Sequence, residues 1–265
     1  MTDASRSSTL GHSSPDLAAA ALATAPTFRS RHLPTLVLAV VLALVPLVLP
    51  NAFYFDVVIR IAINATLAIA LNLLIGYCGQ ISLGHAGFFG LGAYGSAILT
   101  THWDWKAPTA MLASAAIVGV VAWVVARVIL RLKGHYLAMA TLGLGIIVTI
   151  VLTNEASLTG GPDGMSVGDF SVFGLRLYGE RVWYWAFAGI LIAAVVLAGN
   201  LVESPAGRAL RALHGSEVAA RVVGVDTASF KTRVFVLSAV VAAVMGSLSA
   251  HYLGFITPQV AGFHK

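Results

Sequence analysis

The sequence predicts an all-α, polytopic transmembrane helix bundle, and three observations predict it. The first is composition. Of 265 residues, 58% are hydrophobic and 10% charged, against roughly 25% charged in soluble domains. A soluble chain of this length could not hide so much apolar surface and still present a wetted exterior, so lipid is part of its solvent. The second is pattern. Apolar runs close to the ~20 residues that cross a bilayer recur along the chain. Of the 26 glycines, 13 lie inside these runs, where they permit close helix packing. The third is charge, which lies mostly in the connections and is biased toward one side of the bundle.

Taken in order, residues 1–33 are rich in Ser, Thr and Ala and carry Arg6, Arg29 and Arg31. They read as a disordered cytoplasmic leader. A cleaved signal peptide is the alternative, but the apolar run after Arg31 is long enough to span and no small-residue cleavage site follows it. Residues 34–265 form the transmembrane domain, with about seven spans: Leu33–Pro50, Val57–Gly76, Ile81–Thr100, Pro108–Leu130, Tyr136–Leu152, Val182–Val202 and Val234–Phe255.

Placing the N-terminus in the cytoplasm puts eleven Lys and Arg on the inner connections and three on the outer ones. The opposite orientation inverts that bias, so the positive-inside rule selects a cytoplasmic N-terminus. Residues 153–181 are then an outer loop, in which Thr159-Gly160-Gly161-Pro162-Asp163-Gly164 folds the chain tightly back. Residues 203–233 are an inner loop, and the C-terminus lies outside.

Several function classes are excluded. The net charge of +5 comes without a basic face on a soluble domain, so nucleic acid is not a partner. The single cysteine, Cys78, rules out a disulfide framework or a cysteine metal site and reads as a buried, inert thiol. No paired carboxylates or His-Glu-x-x-His lie at membrane depth, so no enzyme, metal or cofactor is expected. A stand-alone channel or secondary transporter would need ionisable coupling groups within the spans, where Arg60 and His85 are joined only by Arg127 and His251 and no carboxylate is found.

The third span contains Gly90-x-Gly92-x-x-Gly95, which as a dinucleotide fingerprint would need a strand before it and a helix after it. Inside a span, Ala86/Gly90, Gly92/Ser96 and Ala93/Ala97 are small residues at helical spacing and read as a packing surface. Gln80, Ser82 and His85 open the same span. Asn64 and Asn72 lie within about 80° of arc on the preceding helix, with Ala68 between them. These five polar residues are candidates for a translocation path; the alternative is that they hydrogen-bond between helices and hold the bundle together. Asp56 and Arg60, four residues apart, are a structural pair. Trp103, Trp105, Trp183 and Trp185 fall at span ends, as interfacial aromatics do.

The inner loop is too polar to span and reads as two short amphipathic helices. Ser204 caps the first with Pro205 in its first turn. Ser216 caps the second and Gly224 ends it. Such an element either docks a soluble partner or lies on the lipid surface through Arg208, Arg211 and Arg221.

Two stretches carry a resemblance. Leu71-Asn72-Leu73-Leu74-Ile75-Gly76-Tyr77-Cys78-Gly79-Gln80-Ile81-Ser82-Leu83-Gly84-His85-Ala86-Gly87, running on to Tyr94, resembles the signature of permease subunits of branched-chain amino acid ABC importers. Ser204-Pro205-x-Gly207-Arg208-Ala209-Leu210-Arg211-Ala212 followed by Ala219-Ala220-x-x-x-Gly224 is similar to the same family. Gly134–Leu142, Thr159–Gly164 and Gly254–Pro258 add to it, in the family's order. The resemblance implies a pore shared with a second permease, two ATP-binding subunits on the cytoplasmic side, an external substrate-binding protein, and a bacterial inner membrane location. It implies that Arg208, Arg211, Glu217, Ala219, Ala220 and Gly224 couple to the ATPases. Val218 stands where the importer pattern has Glu, with Glu217 one place earlier. ATP binding itself falls to the partners, since no Gly-x-x-x-x-Gly-Lys-Ser/Thr loop occurs here. Members of the family continue past the Gly-Phe-Ile-Thr-Pro stretch, so the chain is expected to be C-terminally truncated. Urea or a short amide is the alternative cargo within the family.

Overall fold

The computed structural model describes residues 33–48, 51–132, 134–172 and 175–262. The expected leader therefore lies outside the described residues up to position 32. Residues Met1–Ala43 and Leu44–Lys265 fall into two units, and helix α1 (Leu33–Val48) crosses their boundary. At 16 residues α1 is shorter than the expected span, whose end at Pro50 is outside the described residues.

The second unit is all-helical apart from two-residue strands. Helix α2 (Ala52–Asn72) continues as a π-helical turn through Leu73–Tyr77. Then follow α3 (His85–Thr101), α4 (Ala107–Ile129), α5 (His135–Asn154), the single turn α6 (Ala156–Thr159), α7 (Glu180–Glu203), α8 (Pro205–Gly215), α9 (Glu217–Val222) and α10 (Thr227–Leu253). Among the described residues five helices are long and apolar enough to cross a membrane: Ala52–Tyr77, Ala107–Ile129, His135–Asn154, Glu180–Glu203 and Thr227–Leu253. The chain is a multi-pass membrane protein.

Local chemistry sets the helix ends. The Asp226 carboxylate caps α10 by accepting from Ser229 N at 3.2 Å, and Gly254 closes it in the left-handed conformation. Pro108 sits in the first turn of α4 and Arg127 in its last, where each suits the terminus. Helix α10 is the core of the unit. It is buried over most of its length and packs against α2, α3 and α4. Its closest neighbour is α3, where Gly92 lies against the backbone of Ala243 and Gly246 against that of Phe89. A side chain at either glycine would drive the two backbones apart. The outer faces of the long helices carry exposed Leu112, Val120, Ile147, Ile150 and Leu197, as lipid contact requires.

The helices alternate in direction, giving the unit two ends. At one, residues 155–172 fold over the bundle: Met165–Ser166 pairs antiparallel with Phe255–Ile256, beyond α10, and Thr101 Oγ1 donates to Ser166 O at 3.3 Å. His251 Nδ1 meets Gly168 O at 2.8 Å. The expected fold-back at Thr159–Gly164 is a short 3-10 turn over Gly161–Asp163. At the other end, α8 and α9 lie across the termini of α2, α7 and α10.

The aromatic expectation needs one correction. Trp103, Trp105 and Trp185 are exposed at helix ends, but Trp183 is buried against Phe170, Phe187 and Tyr252. It packs the loop onto the bundle, because the loop itself covers that helix end.

Candidate functional site

The third expected span, Ile81–Thr100, is also corrected. Helix α3 begins only at His85, and residues 79–84 are not helical. Gly79 turns the chain at a φ of 68°, which costs glycine little. The following residues then run into the bundle. How far they run can be read from the partners of His85. Its Nε2 lies 2.6 Å from Ser238 Oγ, and Ser238 is eleven residues into α10, roughly 16 Å along the helix at 1.5 Å per residue. Helix α3 therefore starts level with Ser238, five residues beyond Arg233 on α10 and inside the bundle. Non-helical backbone at such depth is tolerated only where protein buries it or a wet cavity meets it. Here Thr141 Oγ1 accepts from Leu83 N at 3.0 Å, and Gly84 lies against the Thr141 backbone.

The hydrogen bonds around His85 fix the proton on Nε2. Ser238 Oγ donates its single proton to Ala70 O at 3.1 Å, so it must accept from His85 Nε2. Nδ1 lies 3.0 Å from Ser82 Oγ. One chain of hydrogen bonds, Ser82 to His85 to Ser238 to Ala70, links the non-helical stretch, α10 and α2. His251 Nδ1 donates to the Gly168 carbonyl, and its Nε2 lies 2.9 Å from Ser96 Oγ.

Of the five polar candidates, Ser82 and His85 are thus brought together, buried and bonded. Gln80 is buried beside them in sequence, and its Oε1 has no hydrogen-bond partner among the described residues. Asn64 and Asn72 are separate from this group. They lie exposed on α2, with Asn64 Nδ2 donating to Arg60 O at 2.9 Å and the Asn72 side chain lying over Gly76. Sequence reasoning missed their continuation. Arg60, Asn64, Ala68, Asn72 and Gly76 recur every four residues, all exposed, as one polar and small stripe along α2. Asp56 and Arg60 form the expected pair, Oδ2 to Nε at 2.8 Å, and Tyr252 OH donates to the other carboxylate oxygen at 2.9 Å.

At the other end α8 and α9 form as their caps dictate. Ser204 Oγ accepts from Gly207 N at 3.3 Å, Ser216 Oγ accepts from Ala219 N at 3.2 Å, and Gly224 turns at a φ of 87°. Helix α8 buries Leu210 and Leu213 and leaves Arg208 exposed. Arg211 donates to Val202 O at 2.8 Å, tying α8 to the end of α7. Glu217 holds α9 to α10, with Lys231 Nζ at 2.7 Å and Arg221 at 3.1 Å. His214 lies against Gly79, so α8 touches the point where the non-helical stretch begins.

Ala220 is 2% exposed and faces the chain, where it sets the pose of α9. The outward face of α9 carries Val218 and Val222, at 71% and 82% exposure, with Val223 just past its end at 75%, and the sequence alone does not single them out. Apolar side chains at that exposure mark a contact surface. Ala219 and Gly224 are exposed beside them. Among the described residues no group of three His, Cys, Asp or Glu could hold a metal ion.

The chain was compared with known proteins. The profile of a family described as branched-chain amino acid transport system, permease component, matches residues 53–264. The high-affinity branched-chain amino acid transport system permease protein LivM of Salmonella typhimurium is 32% identical over 197 residues, covering 64% of this chain and 45% of that protein. LivM of Escherichia coli is 30% identical over 193 residues, with the same coverage of each. A probable branched-chain amino acid transport permease protein LivM of Methanocaldococcus jannaschii is 25% identical over 122 residues, 46% of this chain and 35% of that protein. The chain thus spans less than half the length of these relatives. No solved structure matches it.

Proposed function

Because the chain belongs to the branched-chain amino acid transport permease family, we propose that it is a membrane-spanning subunit of an ATP-driven importer that moves branched-chain or related hydrophobic amino acids across the bacterial inner membrane. The observation that carries the reading, beyond the family match, is α9: a six-residue helix, capped at Ser216 and braced by Lys231, that presents Val218 and Val222 outward, with Val223 just past its end. A soluble partner is the economical cover for such a surface. In this reading two ATP-binding subunits dock on it, a second permease completes the pore, and an external binding protein delivers the substrate.

The orientation follows from charge. The end carrying α8 and α9 also carries Arg127, Arg131, Arg208, Arg211, Arg221, Lys231 and Arg233. The positive-inside rule puts it in the cytoplasm, with the N-terminus, and puts residues 155–179 outside.

A mechanism follows from the contacts. ATP binding drives a conformational change only through partners whose affinity differs between two states. Movement of α9 reaches α10 through the Glu217–Lys231 pair. Movement of α8 reaches the non-helical stretch through His214 and Gly79. That stretch ends on His85, whose two hydrogen bonds register α3 against α10. The cytoplasmic element and the broken span are therefore mechanically joined. The polar groups near the break, Gln80 with its unsatisfied carbonyl above all, supply a path for a polar backbone through lipid.

Co-purification tests the reading. The tagged chain, expressed with its candidate partners, is expected to recover a second permease and two ATPases. Val222→Asp is expected to lose the ATPases while retaining the permease. A chain recovered alone would sink the proposal.

A further inference from the structure

At the end of the bundle away from α8 and α9, a cavity of about 340 Å³ opens between α2, α3, α10 and the turn Pro258–Ala261. That size suits a small ligand. Its lining is divided. Arg60 and Asn64 supply polar groups; Ile63, Leu67 and Phe89 supply an apolar wall. Arg60 engages Asp56 through Nε only, which leaves both terminal NH2 groups without a hydrogen-bond acceptor among the described residues. Asn64 spends its amide on the Arg60 carbonyl, leaving Oδ1 as an acceptor.

A planar guanidinium with two open N–H donors matches a carboxylate bidentately. Because Asp56 already balances Arg60, the site is neutral. A lone anion would bring net charge into a low-dielectric setting, whereas a zwitterion brings none. An ammonium group finds the Asn64 carbonyl one helical turn from Arg60, and an aliphatic side chain finds Ile63, Leu67 and Phe89. We propose that this cavity is a binding site for a free aliphatic amino acid, with the α-carboxylate on Arg60 and the side chain against Leu67. The site rests on the permease reading and deepens it: the permease itself, and not only a delivering protein, recognises the zwitterion. Urea and amides, which lack the carboxylate, do not satisfy Arg60.

The test uses the assembled importer without its binding protein. Val260→Cys, made with Cys78→Ser, places a thiol on the cavity wall, and its alkylation by a maleimide is timed with and without leucine. Leucine is expected to slow the reaction, and leucinamide is not. Arg60→Gln is expected to raise the leucine concentration for half-protection about tenfold or more, the size of one lost charge-assisted contact. Leu67→Trp fills the apolar end, leaves the Asp56–Arg60 pair intact, and is expected to abolish protection by leucine. Absence of protection by leucine in the Val260→Cys importer, or equal protection after Arg60→Gln and Leu67→Trp, overturns the site. Leucine uptake by the parent importer with its binding protein separates the two claims. Uptake without protection removes the site alone, and absence of uptake removes the permease reading.

Discussion

His85 donates from Nε2 to Ser238 Oγ across 2.6 Å, and this bond sets the depth at which α3 begins. Ser238 passes its own proton to Ala70 O, so the pair joins three elements. Ser238→Ala removes both bonds and leaves a buried imidazole N–H unsatisfied, which costs roughly 1–3 kcal/mol. The purified chain is expected to melt several degrees lower, and His85→Ala to behave likewise with loss of uptake. Unchanged melting for both would show that the chain of bonds does not hold the broken span.

Two glycine substitutions of identical chemistry should have opposite signs. Gly143, in α5, has open space where a Cβ would stand, so Gly143→Ala gains up to about 1 kcal/mol of helix propensity. Gly92 meets the Ala243 backbone, so Gly92→Ala overpacks the α3–α10 contact and costs roughly 1–3 kcal/mol. Thermal denaturation of the two variants checks this; equal shifts would remove the close approach from the account.

The two cations on Glu217 are not equivalent. Lys231 is 13% exposed at its side chain and Arg221 is 68% exposed. An exposed pair contributes about 0–1 kcal/mol, whereas Lys231 makes the shorter, less exposed contact and is the partner that ties α9 to α10. Lys231→Ala is therefore expected to weaken ATPase recovery in pull-downs much more than Arg221→Ala. The reverse order would mean that α9 is not braced through Lys231.

Cys78 lies in the turn after α2, 3% exposed, where burial pushes its thiol up to about 11. Only the thiolate reacts. Alkylation is expected to be slow at pH 7.5 and to rise about tenfold per pH unit up to that value, following the thiolate fraction. Rapid labelling at neutral pH would place Cys78 in an open, wet position.

The α8–α9 element was legible in the sequence because caps are local: Ser204 and Ser216 each bond an N–H three residues ahead. The start of α3 was not, because Ile81–Gly84 is as apolar as the helix after it. What overrides the helix there is Thr141, 58 residues away from Leu83 in sequence, which takes the Leu83 N–H. Gly79 was the one local sign. The orientation of α9 was hidden for a similar reason. Six residues carry no decisive periodicity, and the contact that turns Ala220 inward and Val222 outward is made by Lys231, fourteen residues on. The Asp56–Arg60 pair was legible from spacing alone, but not the cavity beside it, which needs α3 and α10 in place.

The most direct measurement is ATP-dependent uptake of labelled leucine into proteoliposomes holding this chain with a second permease, two ATPase subunits and a binding protein. Accumulation that requires ATP and disappears when this chain alone is omitted is the predicted result. Accumulation that persists without the chain, or its absence when every component is assembled and hydrolysing ATP, would contradict the account.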